Sequence, residues 1–167
     1  MKENIGYVAI EFDEASKQKV ANWASHIGRS DLVTATIDGK IKGGDVTDEL
    51  HLTIFYGLDE NASDQKELLD LVSALPKPIV RVTGIGTFPQ DMFVCKAIYL
   101  EVSDDSGELQ AIHERLKSFS HFSKYQKHDY KPHITIAYVV ADFDVSSLAD
   151  DFPRTLSVKA ITHFRKT

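Results

Sequence analysis

One octapeptide is spelled nearly twice in this chain, and that limits the folds open to it. HLTIFYGL occupies residues 51–58 and HITIAYVV residues 133–140, 82 positions apart in a chain of 167 residues. That length suits one domain of ordinary size and not two independent ones. Two copies of one segment must therefore share a core. The expectation is a single domain over residues 1–167, built as two pseudo-symmetric lobes.

The flanking sequence supplies the elements. Val8, Ile10 and Phe12 alternate against Tyr7, Ala9 and Glu11, the period of a strand. Residues 13–26 change to helical spacing, with Ala15, Val20, Trp23 and Ala24 on one side. TATIDGKIKGGDV reads as a short strand, a turn at Asp38-Gly39 and a loop at Gly43-Gly44. That glycine pair lacks the rest of a P-loop and reads as a plain turn. SDQKELLDLVSAL is a helix capped by Ser63 and ended by Pro76 and Pro78. IVRVTGIGTF and FVCKAIYLEV are strands joined at PQDM, and a further helix runs from about Ser106 to Phe119. SHFSKYQKHDYK is a polar, aromatic loop, DVSSLADDF a short helix and TLSVKAITHF a closing strand. Each half is thus a strand, a helix and a His-x-Thr strand. The fold class is α+β: two antiparallel sheets facing a central cleft, with helices outside.

Strand parity turns each motif into chemistry. Side chains alternate faces, so His51, Thr53 and Phe55 point one way and Leu52, Ile54 and Tyr56 the other. Lys131, His133 and Thr135 likewise share a face, opposite Ile134, Ile136 and Tyr138. Seven histidines and ten threonines predict about 0.4 His-x-Thr triplets by chance. A single copy is ordinary on a solvated strand face; the shared Ile and Tyr make the pair informative. Two imidazoles across a cleft suit a reaction in which one proton is removed and another supplied, each group contributing roughly 10²- to 10⁴-fold. Two threonine hydroxyls would hold the nonbridging oxygens of a phosphodiester.

Composition narrows the partners. Hydrophobic residues at 43% and charged residues at 26% are ordinary for a folded soluble domain. No apolar run reaches the roughly 20 residues of a membrane span, and the first residues lack a secretory pattern, so no membrane is expected and the default address is cytoplasmic. The single Cys95 reads as a core residue. A net charge of −6 disfavours long nucleic acid, which selects a basic stripe, while a local pocket of donors still admits a small anion.

The paired H-[hydrophobic]-T-[hydrophobic] motifs, the second introduced by Lys131-Pro132, resemble the 2H phosphoesterase superfamily. The likeness runs from the first strand to the last. It implies a bilobal fold, metal-independent chemistry without a cofactor, catalytic His51 and His133, and phosphate-holding Thr53 and Thr135. DELHLTIFYGL and YKPHITIAYV are most similar to the phage anti-CBASS branch, whose members degrade cyclic oligonucleotide messengers. Many RNA ligase-like and cyclic phosphodiesterase members have a basic residue after the second motif, where this chain has Ala137-Tyr138. The resemblance to this branch implies hydrolysis of 3',5' linkages in cyclic di- or trinucleotides, in the host cytoplasm if the chain is phage-encoded.

Residues of the second rank are Tyr7, Phe55 and Lys131, read as substrate-binding because they share the motif face. Tyr56 and Tyr138 read as core packing, and His113 as a solvated helix residue. His121 and His128 flank the aromatic loop, a candidate lid. The alternatives are an enzyme acting on 2',5' linkages or 2',3'-cyclic ends of RNA, a module that sequesters a nucleotide without cleaving it, and a histidine metal site. The last lacks a third ligand at a revealing spacing.

Overall fold

The computed structural model describes every residue except 1, 2, 38, 39, 45, 48, 91–94 and 167, and omits the side chains of 35–37, 40–43 and 90. The turns expected at Asp38-Gly39 and within PQDM therefore fall at least partly outside the described residues.

The chain begins with strand β1 (Ile5–Phe12), whose Val8, Ile10 and Phe12 are fully buried. Helix α1 (Glu14–Ala24) starts at Asp13, whose carboxylate accepts the Ser16 N–H at 2.8 Å. A ribbon of β2 (Thr34–Ile37) and β3 (Lys40–Gly43) precedes the first motif strand, β4 (His51–Asp59). Helix α2 (Gln65–Ala74) follows. It begins two residues beyond the expected Ser63 cap: Asp64 precedes it and makes no side-chain cap bond. The Asp64 carboxylate is turned instead to the Ser120 N–H and hydroxyl, at 2.9 and 3.0 Å.

Strands β5 (Val80–Gln90) and β6 (Cys95–Ser103) lead to α3 (Glu108–Lys117), then to the second motif strand β7 (His133–Val140). Val145–Ser147 forms one turn of 3-10 helix where a short helix was expected. The closing strand is divided. β8 (Thr155–Leu156) pairs with β5, and after Ser157 the chain crosses to β9 (Val158–Arg165), which pairs with β1. Ser16, the buried polar side chain of α1, accepts the Ser157 N–H at 2.8 Å, while the Asp13 N–H donates to the Ser157 carbonyl. The crossover is thereby anchored at a point that the alternation of letters does not mark.

Two antiparallel sheets result, in the orders β4-β1-β9 and β7-β6-β5-β8, with the β2-β3 ribbon beside them. The motif strands are neighbours, β4 lying at one margin of its sheet and packing against β7 at the margin of the other. One apolar cluster joins Leu52 and Ile54 of β4, Ile134 and Ile136 of β7, Val20 and Trp23 of α1, Leu68 of α2 and Ile112 of α3. The α+β class with two antiparallel sheets is as expected. Cys95 is buried, as expected for a core residue. Among the described residues no helix is long and apolar enough to cross a membrane.

Candidate active site

Both motif strands break step at the same letter. Along β4, Leu52, Ile54 and Phe55 are all buried, which strict alternation forbids. Its pairing with β1 gives the reason. Ala9 lies opposite Thr53 and Val8 opposite Phe55, so Ile54 is an extra residue, a β-bulge. In β7, Tyr99 lies opposite Thr135 and Ile98 opposite Ala137, so Ile136 is the extra residue. A bulge moves every later side chain to the other face.

Strict parity puts Phe55 in the cleft and Tyr56 in the core; the bulge reverses both. Phe55 is only 1% exposed and packs against His113 and His121, so it is a core ring and no platform for a ligand. Tyr56 is half-buried, lines the main cavity beside Thr53, and is bonded through its hydroxyl by Lys166 at 3.0 Å. Tyr138 too is only half-buried, and burial raises its phenol pKa above the ordinary range. The repeated tyrosine is therefore not simple core packing in either copy.

The main cavity has a volume of about 730 Å³. Thr53 and Tyr56 come to it from β4, His133 from β7, Tyr99 and Glu101 from β6, and Phe88 from β5. Tyr125, Gln126, His128, Asp129, Tyr130 and Lys131 reach it from the aromatic loop. Of the two loop histidines only His128 lines this cavity; His121 donates from Nδ1 to the Phe119 carbonyl and packs edge-on to Phe55. A smaller cavity of about 350 Å³ is lined by His51, Tyr7, Glu11, Lys17, Glu49 and Phe164. Tyr7 stacks on Tyr56 at 5.8 Å, which brings a wall residue of the smaller cavity against a wall residue of the main one. The structure thus places Thr53, His133 and Lys131 together, and His51 and Tyr7 together next to them. Thr135 lines neither cavity and sits opposite Tyr99.

The histidines are held alike. His51 Nδ1 lies 2.9 Å from the Glu49 carbonyl and His133 Nδ1 lies 2.9 Å from the Lys131 carbonyl. A carbonyl only accepts, so each Nδ1 carries the proton and each Nε2 is left for proton exchange with a ligand. Each ring also sits among aromatics: Tyr7 is 6.3 Å from His51, and Phe88 and Tyr99 meet His133 edge-on at 5.6 and 5.3 Å.

Opposite each histidine in the sheet is a glutamate, Glu11 across from His51 and Glu101 across from His133. Directly opposed residues share a face, so each imidazole has a carboxylate neighbour, and Glu11 is tied by the Thr162 hydroxyl at 3.1 Å. Neither glutamate stands out in the letters, because only the register makes them neighbours. Burial, reinforced by Glu49, raises the Tyr7 phenol above its ordinary range, which keeps it a donor. Neither lining includes an arginine. Among the described residues no three His, Cys, Asp or Glu side chains converge as metal ligands.

Comparison with known proteins settles the ancestry. The family described as the 2'-5' RNA ligase superfamily matches residues 43–166, from the end of β3 through both motifs to the end of β9. This chain belongs to the 2'-5' RNA ligase superfamily. Among solved structures, the fold is similar to E. coli LigT in its apo form, with a TM-score of 0.59 at 14% identity, over 99% of this chain and 96% of that one. E. coli LigT complexed with 3'-AMP gives 0.58 at 13% identity, over 99% of each chain. Kluyveromyces marxianus Usb1 gives 0.52 at 15% identity, over 87% of this chain and 76% of that one. No curated protein matches the sequence. Membership of the superfamily agrees with the resemblance carried by the two motifs, and at these identities the structural likeness is one of fold.

Proposed function

We propose that this protein is a metal-independent phosphodiesterase that opens 3',5' linkages of cyclic di- or trinucleotides, countering CBASS signalling, with His51 and His133 as its acid-base pair. The observation that carries the phosphodiesterase reading is the meeting of Thr53 and His133, one residue from each motif, on the wall of a single cavity. The two lobes contribute one histidine each, and on this reading the scissile phosphate sits between them. One imidazole takes the proton of the ribose 2'-hydroxyl through Nε2, and the 2'-oxygen attacks phosphorus. The bond from phosphorus to the 5'-oxygen breaks, and the other imidazole protonates that oxygen, leaving a 2',3'-cyclic phosphate. Thr53 donates to a nonbridging oxygen, and Tyr7 and Lys131 add a donor and a charge beside it.

The choice of a small cyclic substrate is supported by three features. A cavity of about 730 Å³ falls within the roughly 300–1,000 Å³ of small-molecule sites. Glu101 and Asp129 on its wall, with no arginine, do not suit a long polyanion. The sequence after each motif, Tyr56-Gly57 and Ala137-Tyr138-Val139, resembles that of the anti-CBASS branch. A second reading, action on 2',5' linkages or 2',3'-cyclic ends of RNA, is favoured by the superfamily match and by the fold shared with LigT, which has been solved with 3'-AMP.

The deciding experiment incubates the protein, in chelator, with cyclic di- and trinucleotides, linear 2',5'-oligonucleotides and 2',3'-cyclic monophosphates, and resolves products by mass. Cleavage confined to the last two classes overturns the cyclic-substrate reading. Binding without turnover in wild type, equal in His133→Ala, identifies a sequestering module instead. Activity abolished by chelator and restored by a divalent metal refutes the metal-independent mechanism.

A further inference from the structure

An extra residue in a strand leaves its own backbone groups without ladder partners, so a bulge persists only where something else satisfies them. Ile54 has no partner on β1, yet its carbonyl accepts a hydrogen bond from His113 Nδ1 at 2.8 Å. The hydroxyl of Tyr130 donates to the adjacent Thr53 carbonyl at 3.0 Å. The two rings stack on each other at 4.4 Å and 11°, so each donor fixes the other's aim. Further along the same edge, Gln126 donates to the Tyr56 carbonyl at 2.6 Å, and the Phe122 N–H to the Gly57 carbonyl at 2.8 Å. The corresponding bulge in β7 is held differently: the Ile136 carbonyl accepts the Thr47 N–H at 2.9 Å. Each bulge is therefore held by the segment that leads into the other motif, by side chains in β4 and by backbone in β7.

We propose that His113 and Tyr130 are positioning residues, which clamp the β4 bulge, hold the Thr53 carbonyl in place and keep Tyr56 aimed into the main cavity. This inference rests on the functional reading above for its kinetic consequence, and on the geometry alone for the clamp. Without the two donors the Ile54 and Thr53 carbonyls lose their partners, and the unbulged register becomes the competing state. That register puts Phe55 in the cavity and Tyr56 in the core. Tyr130 is buried enough to hold its proton well above the ordinary range, so its hydroxyl stays a donor.

The test compares His113→Phe and Tyr130→Phe, which keep a ring and lose a donor, with His113→Asn, which restores a donor at the Nδ1 position. On whichever panel substrate wild type cleaves, each Phe variant is expected to lose about tenfold in kcat with KM within about threefold, and Asn to recover most of the loss. Amide hydrogen exchange over residues 53–57 should quicken in both Phe variants, while residues 133–138 stay as in wild type. Unchanged exchange over 53–57 overturns the clamp. Faster exchange with unchanged kcat overturns positioning, and a loss confined to KM makes His113 a ligand contact instead. Exchange that quickens equally in both motif strands marks general loosening and also refutes the clamp. Inactive wild type sinks the functional reading and the kinetic role with it, and the exchange comparison then decides the clamp on its own.

Discussion

Gly57 is a position where one added methyl group meets both a positive φ and a close aromatic ring. It is the second extra residue in β4, lying between Tyr56, which pairs with Tyr7, and Leu58, which pairs with Gly6. Its φ is +103°, in the region that L side chains rarely adopt. A Cβ built there would stand 2.8 Å from Cδ2 of Tyr125 and 3.0 Å from its Cβ. The backbone term for Gly57→Ala is about 1–2 kcal/mol. Overpacking against a ring held by its own main chain adds about 1–3 kcal/mol, for a total of roughly 2–5 kcal/mol. Gly107→Ala is the control, since Gly107 has φ +72° and nothing within 4 Å of the new Cβ, leaving the backbone term of about 1–2 kcal/mol alone. Urea unfolding of the two variants isolates the Tyr125 contact as their difference. Equal losses would show that Tyr125 swings aside freely. Because Tyr125 lines the main cavity and meets Tyr56 edge-on at 5.2 Å, a real overlap should also raise KM more in Gly57→Ala than in Gly107→Ala.

Four further outcomes are expected. His51→Ala and His133→Ala should each lower kcat by roughly 10²- to 10⁴-fold with circular dichroism unchanged; full activity in either removes that histidine from the mechanism. The pH profile of kcat/KM should be bell-shaped, one limb for the imidazole that must be neutral and one for that which must be protonated, and a monotonic profile contradicts the pair. Burial raises the Tyr130 phenol above its unfolded value of 10.0, so the stability it contributes is complete below pH 10 and declines as pH rises toward its folded pKa; alkaline melting should show this loss, blunted in Tyr130→Phe. Asp13 and Asp144 are held below 3.8 by hydrogen bonds from Ser16 and Ser146, so their contribution is complete above that pH and is lost on further acidification; acid titration of Asp13→Asn should show a shallower decline than wild type.

Val8, Ile10 and Phe12 are buried as their spacing requires, because burial on one face is a local property of a strand; of the apolar stripe expected on α2, Leu68 and Val72 are buried but Leu69 is exposed. The face shared by His51 and Thr53, and that shared by His133 and Thr135, follows from a spacing of two before any bulge intervenes. Beyond Thr53 and Thr135 parity failed, since a bulge has no letter of its own: Ile54 and Ile136 look like any strand isoleucine. Phe55 and Tyr56 changed roles for that reason alone. Tyr7 kept the face its parity assigned, yet it lines the smaller cavity with His51 while Lys131 lines the larger with His133.

His113 shows the same boundary from the other side. On α3 its spacing reads as a solvated residue, and nothing in AIHERLKSF announces a carbonyl 59 positions earlier that needs a donor. Superfamily, fold class and the two His-x-Thr pairs rest on short-range order, fixed by covalent geometry and the period of a strand. The glutamates opposite the histidines, the crossing at Ser157 and the exchange of braces between the motif strands depend on register and contact between distant segments. Those were decided only when the sheets closed on each other and every backbone group left over had to find a partner.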